Sequence, residues 1–252
     1  MGKLIWLSDL HLTDKKDCRQ RLRLEKTLAE VQRQHGDALA CVITGDLVQN
    51  GTVEEYLALS EVFEGFTLPI WPVIGNHDRR EAFVSKIKLP QVPMERFAQY
   101  VIETESHTLL FLDTNIPGDD SGEMCRERLD WLEHQLQNGH KPALIFMHHP
   151  PAVSGLGILD PIGFKSDKAL AELIHGSRVC QIFAGHIHTS LQTVFAGLPV
   201  STIRSLQFNF SYPVTFTDWD QVIDCGDRPQ FGLIRLESGK HFVHTFDLKD
   251  VN

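Results

Sequence analysis

The stretch "AGHIHTS", residues 184–190, sets His186 and His188 with a single residue between them, directly after an apolar run. If a strand continues through them, alternation turns both imidazoles to one face. Two imidazoles converging on one point can hold a metal ion, but a lone pair of histidines is weak evidence. Four other segments end apolar runs in the same way. "SDLHL" supplies Asp9 and His11, "GDLVQNG" supplies Asp46, "GNHD" supplies Asn76, His77 and Asp78, and "MHHPP" supplies His148 and His149. Each has an ordinary explanation: Asp9 or Asp46 could cap a helix, Asn76 could serve a turn, and His148 or His149 could be a plain hydrogen-bonded histidine. Such explanations do not account for all five run-ends carrying oxygen or imidazole donors at once. Carboxylate, imidazole and amide oxygen without thiolate suit Zn, Mn, Fe or Co. The donors are too many for one ion and about enough for two, with a shared carboxylate between ions about 3.5–4 Å apart.

The elements that must position these groups are legible in the same runs. "KLIWLSD" (3–9), "ALACVITGD" (38–46), "LPIWPVIGN" (68–76), "HTLLFLDTN" (107–115), "PALIFMHH" (142–149) and "VCQIFAGH" (179–186) read as buried strands. Between them, Leu24, Leu28 and Val31 follow a helical stripe, as do Tyr56, Leu59, Val62 and Phe63, and Leu129, Leu132 and Leu136. Thr52 with Glu55 predicts a capping box. Ser166 predicts the cap of a helix ending near Ile174, with Gly176 just beyond. Past His188 the runs "LQTVFAG", "LPVSTIR", "FGLIRLE" and "HFVHTFDL" read as strands without helices between them. Alternating strands and helices predict an α/β protein of two packed sheets flanked by helices. Polar residues at the carboxyl ends of such strands lie where the fold places its ligand crevice.

Composition narrows the function classes. The chain has 252 residues, enough for one sizeable core, and its formal charge of −9 argues against broad nucleic-acid binding. Five scattered cysteines, with no C-x-x-C pair, indicate neither a zinc ribbon nor a disulfide framework and fit a reducing, cytoplasmic setting. No run approaches the ~20 apolar residues of a membrane span. The organisation expected is a catalytic core over 1–203, an aromatic-rich cap or dimerisation segment over 204–231, and C-terminal strands over 232–252 completing the core.

Taken in order, D-x-H, G-D, G-N-H-D, H and G-H-x-H resemble the calcineurin-like metallophosphoesterase superfamily, from Asp9 to His188. "SDLHL", "GDLVQNG", "GNHD", "MHHPP" and "GHIH", with "GILDPIGF" (157–164), look most like class III cyclic-nucleotide phosphodiesterases and bacterial glycerophosphodiesterases. The resemblance implies a four-layer α/β/β/α sandwich of two mixed sheets. It implies two metal ions, one bound by Asp9, His11 and His188, the other by Asn76, His148 and His186, with Asp46 bridging. It further implies hydrolysis of small phosphodiesters by a metal-bridging hydroxide. His77 would protonate the leaving alkoxide or hold the phosphate, with Asp78 fixing its orientation, and the chain would form a homodimer or higher homo-oligomer.

His149 is left as a neighbour of the site. Arg79 and Arg80 are read as solvated surface groups before phosphate contacts, and Asp113 and Asn115 stay open between support of the site and no role in it. A phosphomonoesterase or a dinucleotide polyphosphate hydrolase would use the same metal core. A non-catalytic scaffold is disfavoured by the full donor set, and a nuclease by the acidic balance.

Overall fold

A computed structural model describes residues 2–91, 94–210 and 228–248. The elements are, in chain order, β1 (Gly2–Leu7), α1 (Arg19–His35), β2 (Ala40–Thr44), α2 (Val53–Glu64), β3 (Ile70–Val73), α3 (Arg80–Lys86), β4 (Tyr100–Glu103), β5 (Thr108–Phe111), β6 (Asn115–Ile116), β7 (Asp119–Gly122), α4 (Arg126–Asn138), β8 (Ala143–Phe146), α5 (Asp167–Ile174), β9 (Val179–Ala184), β10 (Gln192–Phe195), β11 (Leu198–Thr202), β12 (Gln230–Glu237) and β13 (Lys240–Asp247). They build a five-stranded sheet of order β13-β12-β1-β2-β3, a six-stranded sheet of order β10-β11-β9-β8-β5-β4, and the small β6-β7 ribbon. Both large sheets are mixed: β1-β2-β3 and β5-β8-β9-β11 pair in parallel, and the outer strands β12, β13, β10 and β4 pair antiparallel.

The central strands are buried on both faces, which is why they read as continuous apolar runs and not as alternating ones. Ile5, Leu7, Cys41 and Ile43 face outward onto Leu24, Leu28 and Val31 of α1 and Leu59 and Val62 of α2. Leu4, Trp6, Val42 and Val73 face inward onto Leu109, Phe111, Leu144, Phe146 and Phe183 of the second sheet. That sheet's other face, with Leu110, Ile145 and Ile182, is covered by Leu132 and Leu136 of α4 and Leu170 and Ile174 of α5. Three apolar layers between four structural ones make an α/β/β/α sandwich. In the middle layer Tyr100, Phe111, Phe146 and Phe183 stack ring on ring across four strands, at 4.5, 5.1 and 5.1 Å, and Trp6 meets Phe183 edge-on at 5.1 Å.

The Thr52–Glu55 capping box forms with both of its hydrogen bonds. Ser166 stands at the N-cap position of α5 but its hydroxyl makes no capping bond; it instead accepts from the Met124 amide and donates to the Met124 carbonyl, tying two loops together. Of the segment 204–231, residues 211–227 lie outside the described residues, and β12 begins within it at Gln230. No helix among the described residues is long and apolar enough to cross a membrane.

Candidate metal centre

Every residue singled out at a run-end lies past the carboxyl end of a parallel strand: β1, β2 and β3 on one sheet, β8 and β9 on the other. The crevice is therefore built at one end of the sandwich, where the carboxyl ends of the parallel strands of both sheets come together. The local backbone differs from the alternation expected of the sequence. β1 ends at Leu7 and β9 at Ala184. Asp9, His11, Asp46, His186 and His188 then take left-handed φ values of 53°, 42°, 47°, 68° and 50°. Such conformations are uncommon for residues other than glycine and cost of order 1–3 kcal/mol each, so the surrounding structure must enforce them. The Asp9 amide donates to Gly45 carbonyl, the His11 amide to Asp46 carbonyl, and the His186 amide to the Asp9 carboxylate. His186 and His188 thus diverge: their rings enter two neighbouring clusters, not one.

In the first cluster His188 Nε2 lies 3.3 Å from Asp9 Oδ1 and 3.0 Å from His11 Nε2, which is 3.6 Å from Asp46 Oδ2. In the second, Asn76 Oδ1 lies 3.0 Å from His148 Nε2 and 3.1 Å from His186 Nδ1, and Asp46 Oδ2 is 3.4 Å from His148 Nε2. The Asp46 carboxylate faces both. All of these side chains are buried except Asn76 and His77, which are half-buried and mark the mouth.

Carbonyl oxygens fix the ring orientations, because a carbonyl only accepts. His148 Nδ1–H donates to Thr44 O at 2.8 Å, His188 Nδ1–H to Phe208 O at 2.9 Å, and His77 Nδ1–H to Gln49 O at 2.7 Å. His11 Nδ1–H donates to the Gln49 side-chain oxygen at 3.1 Å. The inward Nε2 atoms of His11, His148 and His188 are therefore lone pairs when these rings are neutral. Lone pairs turned on lone pairs and carboxylates require a cation between them. Asp9 Oδ2 is buried without a hydrogen-bond partner, as a donor atom awaiting a cation would be. Ligands about 2.1 Å from a shared ion at angles of 90–120° stand about 3.0–3.6 Å apart, and the spacings above, 3.0 to 3.6 Å, match. The donor set fits two metal ions.

The site's electrostatics follow from burial. Burial pushes the His11 and His186 pKa values down to about 3, against the pull of Asp46. Burial also acts to lower that of His148, but Asp46 and Asp9 outweigh it and hold this imidazole up at about 9. In the absence of metal, a proton on His148 is the cation of the second cluster.

His149 is excluded as a donor by its own bonds. Its Nε2–H donates to Asp120 O at 3.1 Å, and its Nδ1 accepts from Thr114 Oγ1 at 2.8 Å. Burial, with His186 and His148 beside it, holds its pKa far below the usual imidazole range.

Asp78 also departs from expectation. The His77 ring is held by Gln49, whereas the Asp78 carboxylate accepts from the Gly75 and Leu47 amides at 2.8 and 3.1 Å and from the Tyr56 hydroxyl at 2.7 Å. It clamps the loops after β2 and β3 together and does not orient His77. Burial, with Asp46 nearby, pushes its pKa up to about 6.

Arg80 is not a solvated group: it grips buried Asp113 through two bonds of 2.7 and 2.9 Å. Asn115 supports the site by donating to Gly75 O and Asp78 O at 2.7 and 3.2 Å.

Close packing seals the clusters. A Cβ on Gly45 would strike the His148 ring, one on Gly75 would strike Asp46, and one on Gly185 would strike Ser8 and Asp9. The positions that sequence reasoning passed over are Thr44, Gln49 and Phe208, which act chiefly through their carbonyls. Arg23 was passed over too; it donates to Leu206 O at 3.0 Å and also to Gln207 O, pinning the segment that presents Phe208.

The calcineurin-like phosphoesterase family profile matches residues 2–190. A probable cyclic nucleotide phosphodiesterase of Rhodopseudomonas palustris is 31% identical over 229 residues, 88% of this chain and 82% of that protein. A glycerophosphodiester phosphodiesterase of Enterobacter lignolyticus is 31% identical over 71% of this chain and 66% of its own length. Among solved structures, a purple acid phosphatase from yellow lupin superposes with a TM-score of 0.73 at 14% identity, covering 98% of this chain and 51% of that one, a likeness of fold.

Proposed function

Because the chain belongs to the calcineurin-like phosphoesterase family, we propose that it hydrolyses small phosphodiesters, cyclic nucleotides or glycerophosphodiesters among them, at a dinuclear metal centre. The observation that carries this reading is the pair of donor clusters, each with inward donor atoms 3.0 Å apart, joined by one carboxylate. Asp9, His11 and His188 would hold one ion and Asn76, His148 and His186 the other, with Asp46 placed to serve both. Two such ions, drawn from Fe, Mn, Zn or Co, would supply Lewis acidity toward the phosphoryl oxygens and lower the pKa of water toward neutrality.

The chain's own residues do the rest. Asp9 and Asp46 contribute only two negative charges, so the loaded crevice is positive within an acidic chain and draws an anionic diester. His77 stands half-buried at the mouth with its Nδ1 proton kept by the Gln49 carbonyl at 2.7 Å. From its free Nε2 the protonated ring hands a proton to the departing alkoxide, a contribution of roughly a hundred- to ten-thousandfold. Asp78 positions the loop that carries His77 and touches no substrate. Among the described residues Cys18, Cys41, Cys125 and Cys180 are free thiols, which supports a reducing cytoplasmic setting.

The test is to strip the protein of metal, reload it with Mn, Zn, Co or Fe, and compare bis(p-nitrophenyl) phosphate with p-nitrophenyl phosphate, with His77→Ala alongside. Faster turnover of the diester, lost largely in His77→Ala, is the expected result. Preference for the monoester would move the chain to the phosphatases, and no turnover with any metal in a folded protein would end the enzymatic reading.

A further inference from the structure

Four strands form the edges of the two large sheets: β13 and β3 of one, β10 and β4 of the other. Three of them are only four residues long, and β3 contains Pro72, which has no N–H to offer a neighbour. β13 differs in each respect. It runs eight residues in unbroken register with β12, without bulge or proline. Its outer face carries Phe242 and Phe246, 43% and 42% exposed. Among the described residues β12 is its only strand partner. A long, regular edge strand with aromatic rings exposed on its outer face is a template for another strand.

The groups presented on that edge follow from the ladder. The Leu248 amide donates to the Pro229 carbonyl at 2.8 Å, one step beyond the Asp247–Gln230 pair. Antiparallel alternation then turns the main-chain groups of Lys240, Phe242, His244 and Phe246 toward β12, and those of His241, Val243, Thr245 and Asp247 outward.

We propose that β13 pairs antiparallel with β13 of a second copy, about a twofold axis through His244, joining the two five-stranded sheets into one continuous sheet. The segment is self-complementary in this register. Val243 and Thr245 exchange main-chain hydrogen bonds with Thr245 and Val243 of the second copy, and His241 does so with Asp247. Phe242 falls opposite Phe246 of the second copy, and the reverse, at the positions without hydrogen bonds where facing side chains come closest. Both exposed rings are thereby covered. Asp247 receives Arg204 and Gln230 on one oxygen, Oδ1, so the other can face His241 of the second copy. Centring the axis on Val243 instead would set Phe246 against Lys240 and Phe242 against His244, leaving neither ring an apolar partner.

The test is the mass of the full-length chain by sedimentation velocity over a range of concentrations, with two variants. Wild type is expected to sediment as a dimer. Thr245→Pro removes an outward-facing N–H and spares the β12 ladder, so dimer dissociation should shift at least about tenfold toward monomer, some 1.4 kcal/mol, with circular dichroism unchanged. His244→Cys puts two thiols on the axis, where facing Cα atoms about 4.5 Å apart permit a disulfide. Mild oxidation should yield a covalent dimer whose tryptic map joins residue 244 to residue 244. His241→Cys, which faces Asp247, should give no self-link. A monomer at every concentration overturns the proposal, as does a dimer that survives Thr245→Pro and forms no 244–244 link. None of these readouts depends on metal or turnover, so they stand apart from the phosphodiesterase reading.

Discussion

His148 and His188 each donate Nδ1–H to a main-chain carbonyl, Thr44's in the second donor cluster and Phe208's in the first. Thr44 ends β2, a strand with all five residues buried between two apolar layers. Phe208 lies beyond β11 and outside the named strands, held by Arg23 from α1 and by the Ser205 hydroxyl donating to the Asp9 carbonyl at 2.8 Å. The His11 ring in the first cluster likewise depends on a side chain, Gln49. One half of the centre therefore takes its geometry from the sheet, and the other takes it from long side chains reaching in. The first kind of support can be disturbed only by disturbing the core. The second can be removed while the core stays intact, so mutation should separate the two halves.

The change expected to abolish the contrast altogether is Asp46→Ala, since that carboxylate faces both halves. Metal content should fall at both sites, and turnover of bis(p-nitrophenyl) phosphate should drop roughly a thousandfold, the equivalent of about 4 kcal/mol. Retention of two ions with near-normal turnover would show that Asp46 is not shared.

Gly75→Ala sharpens the contrast from the rigid side. The new methyl group would meet Asp46 and, at 2.8 Å, the His148 ring. A stability loss of about 1–3 kcal/mol is expected, with second-site metal affinity, read by calorimetric titration, down about a hundredfold.

Arg23→Met sharpens it from the adaptable side. It frees the Leu206 and Gln207 carbonyls, and affinity at the first site alone should fall about tenfold. An equal loss at both sites would erase the distinction drawn between them.

The smallest effect is one of pH. With its pKa held near 9, above its unfolded value of 6.5, His148 in the metal-free chain contributes stability fully below pH 6.5. That contribution is lost as pH rises through about 9. The melting temperature of the stripped protein should decline across this window. The loaded protein, in which metal replaces the proton, should stay flat. Metal uptake between pH 7 and 9 should release about one proton from this site.

The sequence made the strand ends legible because full burial and a sudden polar residue leave a signature. The Thr52–Glu55 cap was legible because its spacing is local. What could not be read shares a different character. β4 and the β6–β7 ribbon are too short, and the ribbon too polar, to stand out from loops. Ser166 bonds a residue 42 positions away, which no local capping pattern reveals. Arg80 looked like a surface residue because its partner, Asp113, lies 33 positions on. The orientation of the histidines rests on carbonyls of Thr44, Gln49 and Phe208, and a carbonyl is common to every residue type. The left-handed turns at Asp9, His11, Asp46, His186 and His188 were hidden for a related reason: their residue types announce donors, not backbone angles.

The stacked rings of the middle layer end beneath the donor clusters, with Phe146 two residues before His148 and Phe183 three before His186. With Trp6 they form a floor that excludes solvent entirely, whereas the mouth at Asn76 and His77 is open. The crevice is thus an asymmetric dielectric: an insulator below, water and counterions above. Dissolved salt can screen charge only from the open side. Raising ionic strength should consequently weaken the capture of an anionic substrate while leaving the hold on the ions, anchored from the insulated side, nearly untouched.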